Sequence, residues 1–186
     1  MEDIVQKTLA EVVEFIGGTR RELLALTEGL TPAQLDYRPA EGRWSIGELL
    51  EHVAATEAGI GATMARLAGE AHEQGLPPRQ ADVVDLTIFQ ELGRRVAGVR
   101  FQAPQDMAPA GKLPRAELRA RLETARRGLL ELVPLLGIHD MTSVRFPHPL
   151  LEENFNLYLW LFFLGVHEVR HRRQIENVKQ EAGFPG

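Results

Sequence analysis

Six histidines are spread through the 186-residue chain: His52, His72, His139, His148, His167 and His171. The last two stand four residues apart in a segment whose apolar residues keep helical spacing. Four steps of ~100° return to within ~40° of the start, so both imidazoles share one helix face, one turn apart. The same face carries Trp160, Leu164 and Val178, so the pair points into a core. A buried neutral imidazole has one N–H and one lone pair to satisfy, and an unpaired buried polar group costs ~1–3 kcal/mol. Protonation is no remedy, because a buried cation costs more. A divalent cation that takes both lone pairs is one solution. A hydrogen-bonded core pair, or a pair on the helix flank, is the other.

His52 weights the choice. It lies near the middle of a second helical segment, at the edge of the stripe Leu49, Val53, Ile60, where a side chain reaches the seam with a neighbouring helix. Alone it reads as a satisfied flank histidine. Facing the pair, it completes a facial His₃ set of the kind that bundle cores build. Three neutral ligands leave the charge of a divalent ion uncompensated and a coordination position open, the pattern of a catalytic site.

The pair also reads HEVRH, which matches the zincin pattern HExxH with Glu168 as general base. The metzincin continuation fails, since RRQIENVKQEAGFPG follows His171. Glu181 would lie ~15 Å along the axis from His171 at 1.5 Å per residue, too far to be a third ligand. Glu168 is kept as a candidate catalytic proton-transfer group, against an ion-paired place on the helix flank. Gln174, one turn past His171, is placed to orient a ligand or to bond backbone. Glu57 falls inside an apolar stripe, which suits a group supporting the site or a partner for an arginine of a neighbouring helix. His148 precedes Pro149, as a turn cap or a wall of the site.

Four long helices must position these groups. The first is expected from about Asp3 to Gly29, with Val5, Leu9, Val12, Ile16, Leu23 and Leu26 on one stripe. Gly17 and Gly18 inside it call for a bend or a close helix contact. Thr31-Pro32 marks a turn or a short helix start. Ser45 and Glu48 form a capping box that opens the second helix, which runs to Gly69–Gly75. A weaker helical stretch covers Asp82 to Val96, followed by an irregular loop from Gly98 to Gly111. The third helix opens at Pro114 with Leu118, Leu122, Ala125, Leu129 and Leu132, and ends at Pro134 and Gly137. Ile138 to Pro149 reads as loop. The fourth helix is expected from about Leu151 to Glu181. No stretch alternates long enough to predict a significant sheet. The whole chain, 1–186, reads as one all-α four-helix-bundle domain.

Composition narrows the function. With 0 cysteines, disulfide scaffolds, zinc ribbons, iron–sulfur clusters and a cysteine nucleophile are excluded. A net charge of −5 without a basic block argues against nucleic-acid binding. The most apolar run, Phe155 to Val166, falls short of the ~20 residues a membrane helix needs and reads as a core helix. The N-terminus is acidic and amphipathic, unlike a signal peptide, so the cytoplasm is the default expectation.

Two motifs resemble the DinB-like superfamily: WSIGELLEH at 44–52, and FPHP at 146–149 followed by HEVRHRRQI at 167–175. The resemblance covers the chain in helix order and loop lengths. It implies a DinB-like four-helix bundle, up-down-down-up with a long crossover, often a homodimer. It implies divalent-metal ligands at His52, His167 and His171, with zinc or nickel as the ion. It also implies a small-molecule substrate, in thiol-dependent S-transfer or isomerisation with a low-molecular-weight thiol, or in metal-dependent hydrolysis; other members have no assigned activity. The glycine common after the HP motif is absent here, where Leu150-Leu151-Glu152-Glu153 follows.

Overall fold

The computed structural model describes residues 6–99, 101–111 and 113–186, apart from the side chain of residue 106. In chain order it contains β1 (Gln6–Thr8), α1 (Leu9–Thr27), α2 (Pro32–Asp36), α3 (Ile46–Glu73), β2 (Val83–Asp85) and α4 (Thr87–Arg95). A short 3-10 turn (Gln105–Met107) leads to α5 (Arg115–Leu130), α6 (Val133–Ile138), β3 (Arg145–Pro147), β4 (Asn154–Asn156) and α7 (Leu157–Lys179). The four long helices α1, α3, α5 and α7 make the bundle, with α1 against α7, and α3 against both α5 and α7.

Capping explains most helix starts. The Ser45 hydroxyl accepts from the Glu48 N–H at 3.2 Å, and the Glu48 carboxylate accepts from the Ser45 N–H at 2.9 Å. Thr8 with Glu11 and Thr31 with Gln34 form the same reciprocal pair at α1 and α2. The Thr8 cap starts α1 at Leu9, later than expected; the expected start at Asp3 and the stripe residue Val5 lie outside the described residues. Asn156 accepts from the Leu159 N–H at 2.9 Å and starts α7, so Leu151 to Asn156 is not helical as expected. Pro114, expected as the first residue of its helix, stands one position before α5 with extended backbone and makes no side-chain cap, and Pro134 sits in the first turn of α6.

The expected absence of sheet needs correction at small scale. β1 pairs with β2, and β3 with β4, both antiparallel. Three-residue strands are too short for alternation to register in a sequence. The first ladder also delays α4 to Thr87 within the expected Asp82–Val96 stretch.

The tight α1–α7 contact is made at Gly165, not at Gly17 or Gly18. A Cβ on Gly165 would lie 2.5 Å from the Phe15 ring, while neither Gly17 nor Gly18 meets an atom closer than 3.4 Å. Trp160, Leu161 and Leu164 on α7 are buried, as read for a core helix, whereas Phe155, expected in the same helix, is buried in β4. No helix among the described residues is long and apolar enough to cross a membrane.

The apolar core falls into two clusters. One holds Ile16, Ile60, Met64, Leu129, Trp160 and Leu164; the other holds Leu23, Leu49, Val53, Leu122 and Ile175. On each long helix a buried charge stands at the boundary: Arg20 on α1, Glu57 on α3, Arg126 on α5 and Glu168 on α7. The bundle therefore carries one polar layer between two apolar ones, and on α7 the histidines of the triad flank its Glu168.

Candidate metal centre

α3 and α7 bring His52, His167 and His171 together, with one ring nitrogen from each inside a 4.8 Å span. Nε2 of His167 lies 3.2 Å from Nε2 of His52 and 3.0 Å from Nε2 of His171. Ligands ~2.0–2.1 Å from a common tetrahedral ion stand about 3.3 Å apart, so the two spacings fit one cation.

The outward-facing nitrogens decide what the inner ones present. His52 Nδ1 lies 2.8 Å from the Met107 carbonyl, which can only accept, so the proton is on Nδ1 and Nε2 keeps its lone pair. His171 Nδ1 donates to the Gln174 side-chain oxygen at 2.7 Å, with the same consequence. A single Nε2–H on His167 cannot satisfy both partners linearly. His52 and His171 thus aim two lone pairs at His167 Nε2, whose single proton can meet only one of them, and a divalent cation suits the three nitrogens together.

Electrostatics keeps the rings neutral. Burial pushes the His171 pKa down to about 3, helped by His52 and Arg170 and opposed by the Gln174 hydrogen bond. Burial also holds His167 well below the ordinary value, with His171, His52, Arg170 and His148 adding in the same direction. His52 is lowered by burial, against the Met107 bond. No carboxylate is among the charges acting on these rings.

The surround is aromatic. Trp44 packs on His52 with centroids 4.9 Å apart, and Phe163 lies 5.7 Å from His167. His148 stacks on Trp160 at 5.3 Å and meets Phe163 edge-on at 4.7 Å. Its Nδ1 accepts from the Leu150 N–H, so the turn cap holds, one ring removed from the triad. The loop after α4 closes over this side. Met107 is held by His52, and the Glu51 carboxylate accepts from the Ala110 and Gly111 N–H groups at 3.0 and 2.9 Å.

Glu168 does not face the triad. One oxygen accepts from Arg20 Nε at 2.5 Å, and the other from Thr19 at 2.6 Å and Arg126 at 3.1 Å. Glu57 joins Arg20 and Arg126 in a four-charge square. Burial alone would lower the Arg126 pKa, but Glu57 and Glu168 outweigh it and raise it. Both Glu168 oxygens are thus occupied by donors from α1 and α5, and neither is directed at the triad. The square was half legible. Glu57 is marked by its place inside an apolar stripe, and Arg20 and Arg126 carry the same signal, each between apolar stripe positions, Ile16–Leu23 and Leu122–Leu129. An open groove of about 450 Å³ borders the square, lined by Arg20, Glu123, Arg126, Arg127, Leu130 and Glu131. Its two deepest arginines are already consumed by Glu57 and Glu168.

His72 and His139 form a second pair, 2.7 Å apart, near the surface. His139 Nδ1 donates to the Leu76 carbonyl, so its Nε2 accepts from His72 and the pair is satisfied without an ion.

Comparison with known proteins fits this geometry. YuaE of Bacillus subtilis (strain 168), an uncharacterized protein, is 25% identical over 155 residues, 83% of this chain and 88% of its own. The crystal structure of TT2238, described as a four-helix bundle protein, superposes with a TM-score of 0.62 at 24% identity, over 91% of this chain and 99% of that one. YfiT from Bacillus subtilis, described as a probable metal-dependent hydrolase with an unusual four-helix bundle topology, gives 0.61 at 17% identity, over 100% and 93%. These two likenesses show the fold. The model of the DinB superfamily matches residues 16–175, which include all three histidines, and the chain belongs to that superfamily.

Proposed function

We propose that this protein is a metal-dependent enzyme acting on a small molecule, with His52, His167 and His171 as the protein ligands of one divalent ion, zinc or nickel. The convergence of three Nε2 atoms, at most one of which can carry a proton in the neutral triad, carries the proposal. When bound, the ion supplies Lewis acidity at an open position, which polarises a carbonyl and acidifies a coordinated water or thiol.

The chain's own residues do the rest. Met107 and Gln174 fix the tautomer and rotation of two rings, which raises their basicity as ligands. Trp44, Phe163 and the loop ending at Gly111 exclude water from one side. Glu168 anchors α7 through Arg20 and Arg126; we assign it no proton transfer.

Hydrolysis of a small ester or amide is the first reading of the reaction, supported by the description of YfiT. Transfer of a low-molecular-weight thiol is the second. The neutral ligand set favours it, because it leaves the full cationic charge to hold a thiolate, and a chain with 0 cysteines must take its sulfur from outside. Trp160 and Phe162 on α7 are 1% and 2% exposed, so these aromatics pack within one chain. A homodimer therefore rests on the family resemblance, to be checked by sedimentation. A cytoplasmic location is likewise a proposal.

Elemental analysis of wild type beside His52→Ala tests the metal. Near-stoichiometric zinc or nickel is expected in the first and none in the second. A wild type that stays metal-free after reconstitution would end the proposal. Metal-loaded protein is then assayed with esters and amides, and with thiols plus electrophiles, to separate the two reactions.

A further inference from the structure

The loop between α4 and α5 is fastened to both helices that carry the triad. On α7, Arg170 stands between His167 and His171 in the chain. Its Nη2 donates to the Val99 carbonyl at 3.1 Å, and its guanidinium lies 5.4 Å from the Phe101 ring centroid. On α3, His52 Nδ1 donates to the Met107 carbonyl at 2.8 Å. The Met107 side chain follows the same helix, with its Cε 3.8 Å from where a Cβ on Gly59 would stand. Glu51, next to His52, accepts from the Ala110 and Gly111 N–H groups at 3.0 and 2.9 Å. The segment 101–111 therefore crosses from one ligand helix to the other. Glu51 is the odd member of these fastenings. It is 6% exposed and makes no ion pair with a described residue, and each of its oxygens is occupied by the backbone of the loop. Burying a carboxylate costs more than burying an apolar side chain, and here the gain is a fixed place for the loop. That place also fixes the Met107 carbonyl, three residues before Ala110, over His52.

We propose that residues 101–111 form a strap whose closure is coupled to metal binding through the His52–Met107 hydrogen bond, with Glu51 as the positioning residue that latches it. The coupling lies in the imidazole ring. A cation on Nε2 draws electron density from the ring and makes the Nδ1–H a stronger donor, and the carbonyl in return makes Nε2 a better ligand. The two effects are equal by linkage: whatever strap closure adds to metal affinity, the metal adds to closure. This deepens the metal reading above and rests on it.

Residue-resolved amide hydrogen exchange with and without zinc provides the test, beside zinc affinity from chelator competition. Wild type, Glu51→Gln and Gly111→Ala are compared. Glu51→Gln keeps the size of the side chain and removes the charge of the latch. Gly111 has a φ of 85°, which residues with a Cβ rarely adopt, so alanine there strains the strap without touching a ligand nitrogen. In wild type, zinc should slow exchange of the Ala110 and Gly111 N–H groups about tenfold. In both variants the Ala110 N–H should exchange faster without zinc, and zinc affinity should fall, by up to about tenfold where the strap stands open. Wild-type exchange that zinc leaves unchanged overturns the coupling. So does a variant whose Ala110 N–H exchanges at the unprotected rate while zinc binds as in wild type; Gly111→Ala supplies this reading if Glu51→Gln does not fold. Unprotected Ala110 and Gly111 N–H groups in zinc-loaded wild type overturn the latch. A wild type that binds no zinc overturns the metal reading instead. Glu51 is then judged in the metal-free proteins, where equal Ala110 exchange in wild type and Glu51→Gln rejects it.

Discussion

The Arg20–Glu57–Arg126–Glu168 square and the His52–His167–His171 triad share two helices, α3 and α7. In the square, every guanidinium nitrogen and every carboxylate oxygen meets an opposite charge, a hydroxyl or a backbone carbonyl. In the triad, three Nε2 atoms face one another with at most one proton among them, so at least one lone pair is left unmet, while the outer nitrogens of His52 and His171 have acceptors. Both are buried polar groups. The first is complete within the chain and joins four helices; the second is complete only with something added. Burial and polarity alone therefore do not mark a functional site, whereas an unmet set of like electron pairs does.

The comparison breaks most visibly if one corner of the square is removed. Glu57→Ala leaves two buried guanidiniums short of charge and should cost about 3–5 kcal/mol in denaturant unfolding. Replacing all four corners with apolar residues of similar volume should recover most of that loss. If Glu57→Ala unfolds at the wild-type midpoint, the square contributes nothing and the contrast fails.

Gln174→Ala sharpens the other half. It removes the acceptor of His171 Nδ1 without touching a ligand nitrogen, and should weaken zinc binding by roughly 10–100-fold. Competition with a chromophoric chelator reads this directly, and stability should change far less than in Glu57→Ala.

Acid separates the regions next. The folded pKa of His148 is pushed down to about 4 and that of His171 to about 3, mainly by burial. A depressed folded value means stabilisation that is present above the ordinary pKa near 6.5 and lost as pH falls towards the folded values. The metal-free protein should lose stability steadily from about pH 6.5 downward, and His148→Gln should flatten that slope. Proton competition with zinc should begin well below pH 6.5, because the free ligands stay neutral longer than exposed histidines do. Zinc release centred at pH 6.5 would show that the rings are not buried as described.

The smallest effect belongs to the exposed pair. His72→Ala should shift stability by no more than ~0.5 kcal/mol and leave metal content unchanged. A loss of bound zinc in that variant would place the ion at the wrong pair.

Local sequence determined much of this molecule. Helical spacing fixed four amphipathic helices, Ser45 and Glu48 fixed the start of α3, and the four-residue interval fixed His167 and His171 on one face. These are short-range consequences of 3.6 residues per turn and of unsatisfied backbone N–H groups, and they are readable from neighbours in the chain. The strands stayed hidden because three residues carry too little pattern. The partners of Glu57 and Glu168 stayed hidden because they come from other helices, 37 to 149 residues away. The same holds for the Met107 carbonyl that sets the tautomer of His52 from 55 residues away. Which carboxylate is consumed and which lone pair is left open depends on distances across the bundle. Only packing, which sets those distances through side chains on separate helices, could decide that Glu168 braces the core while the histidines on either side of it face a site.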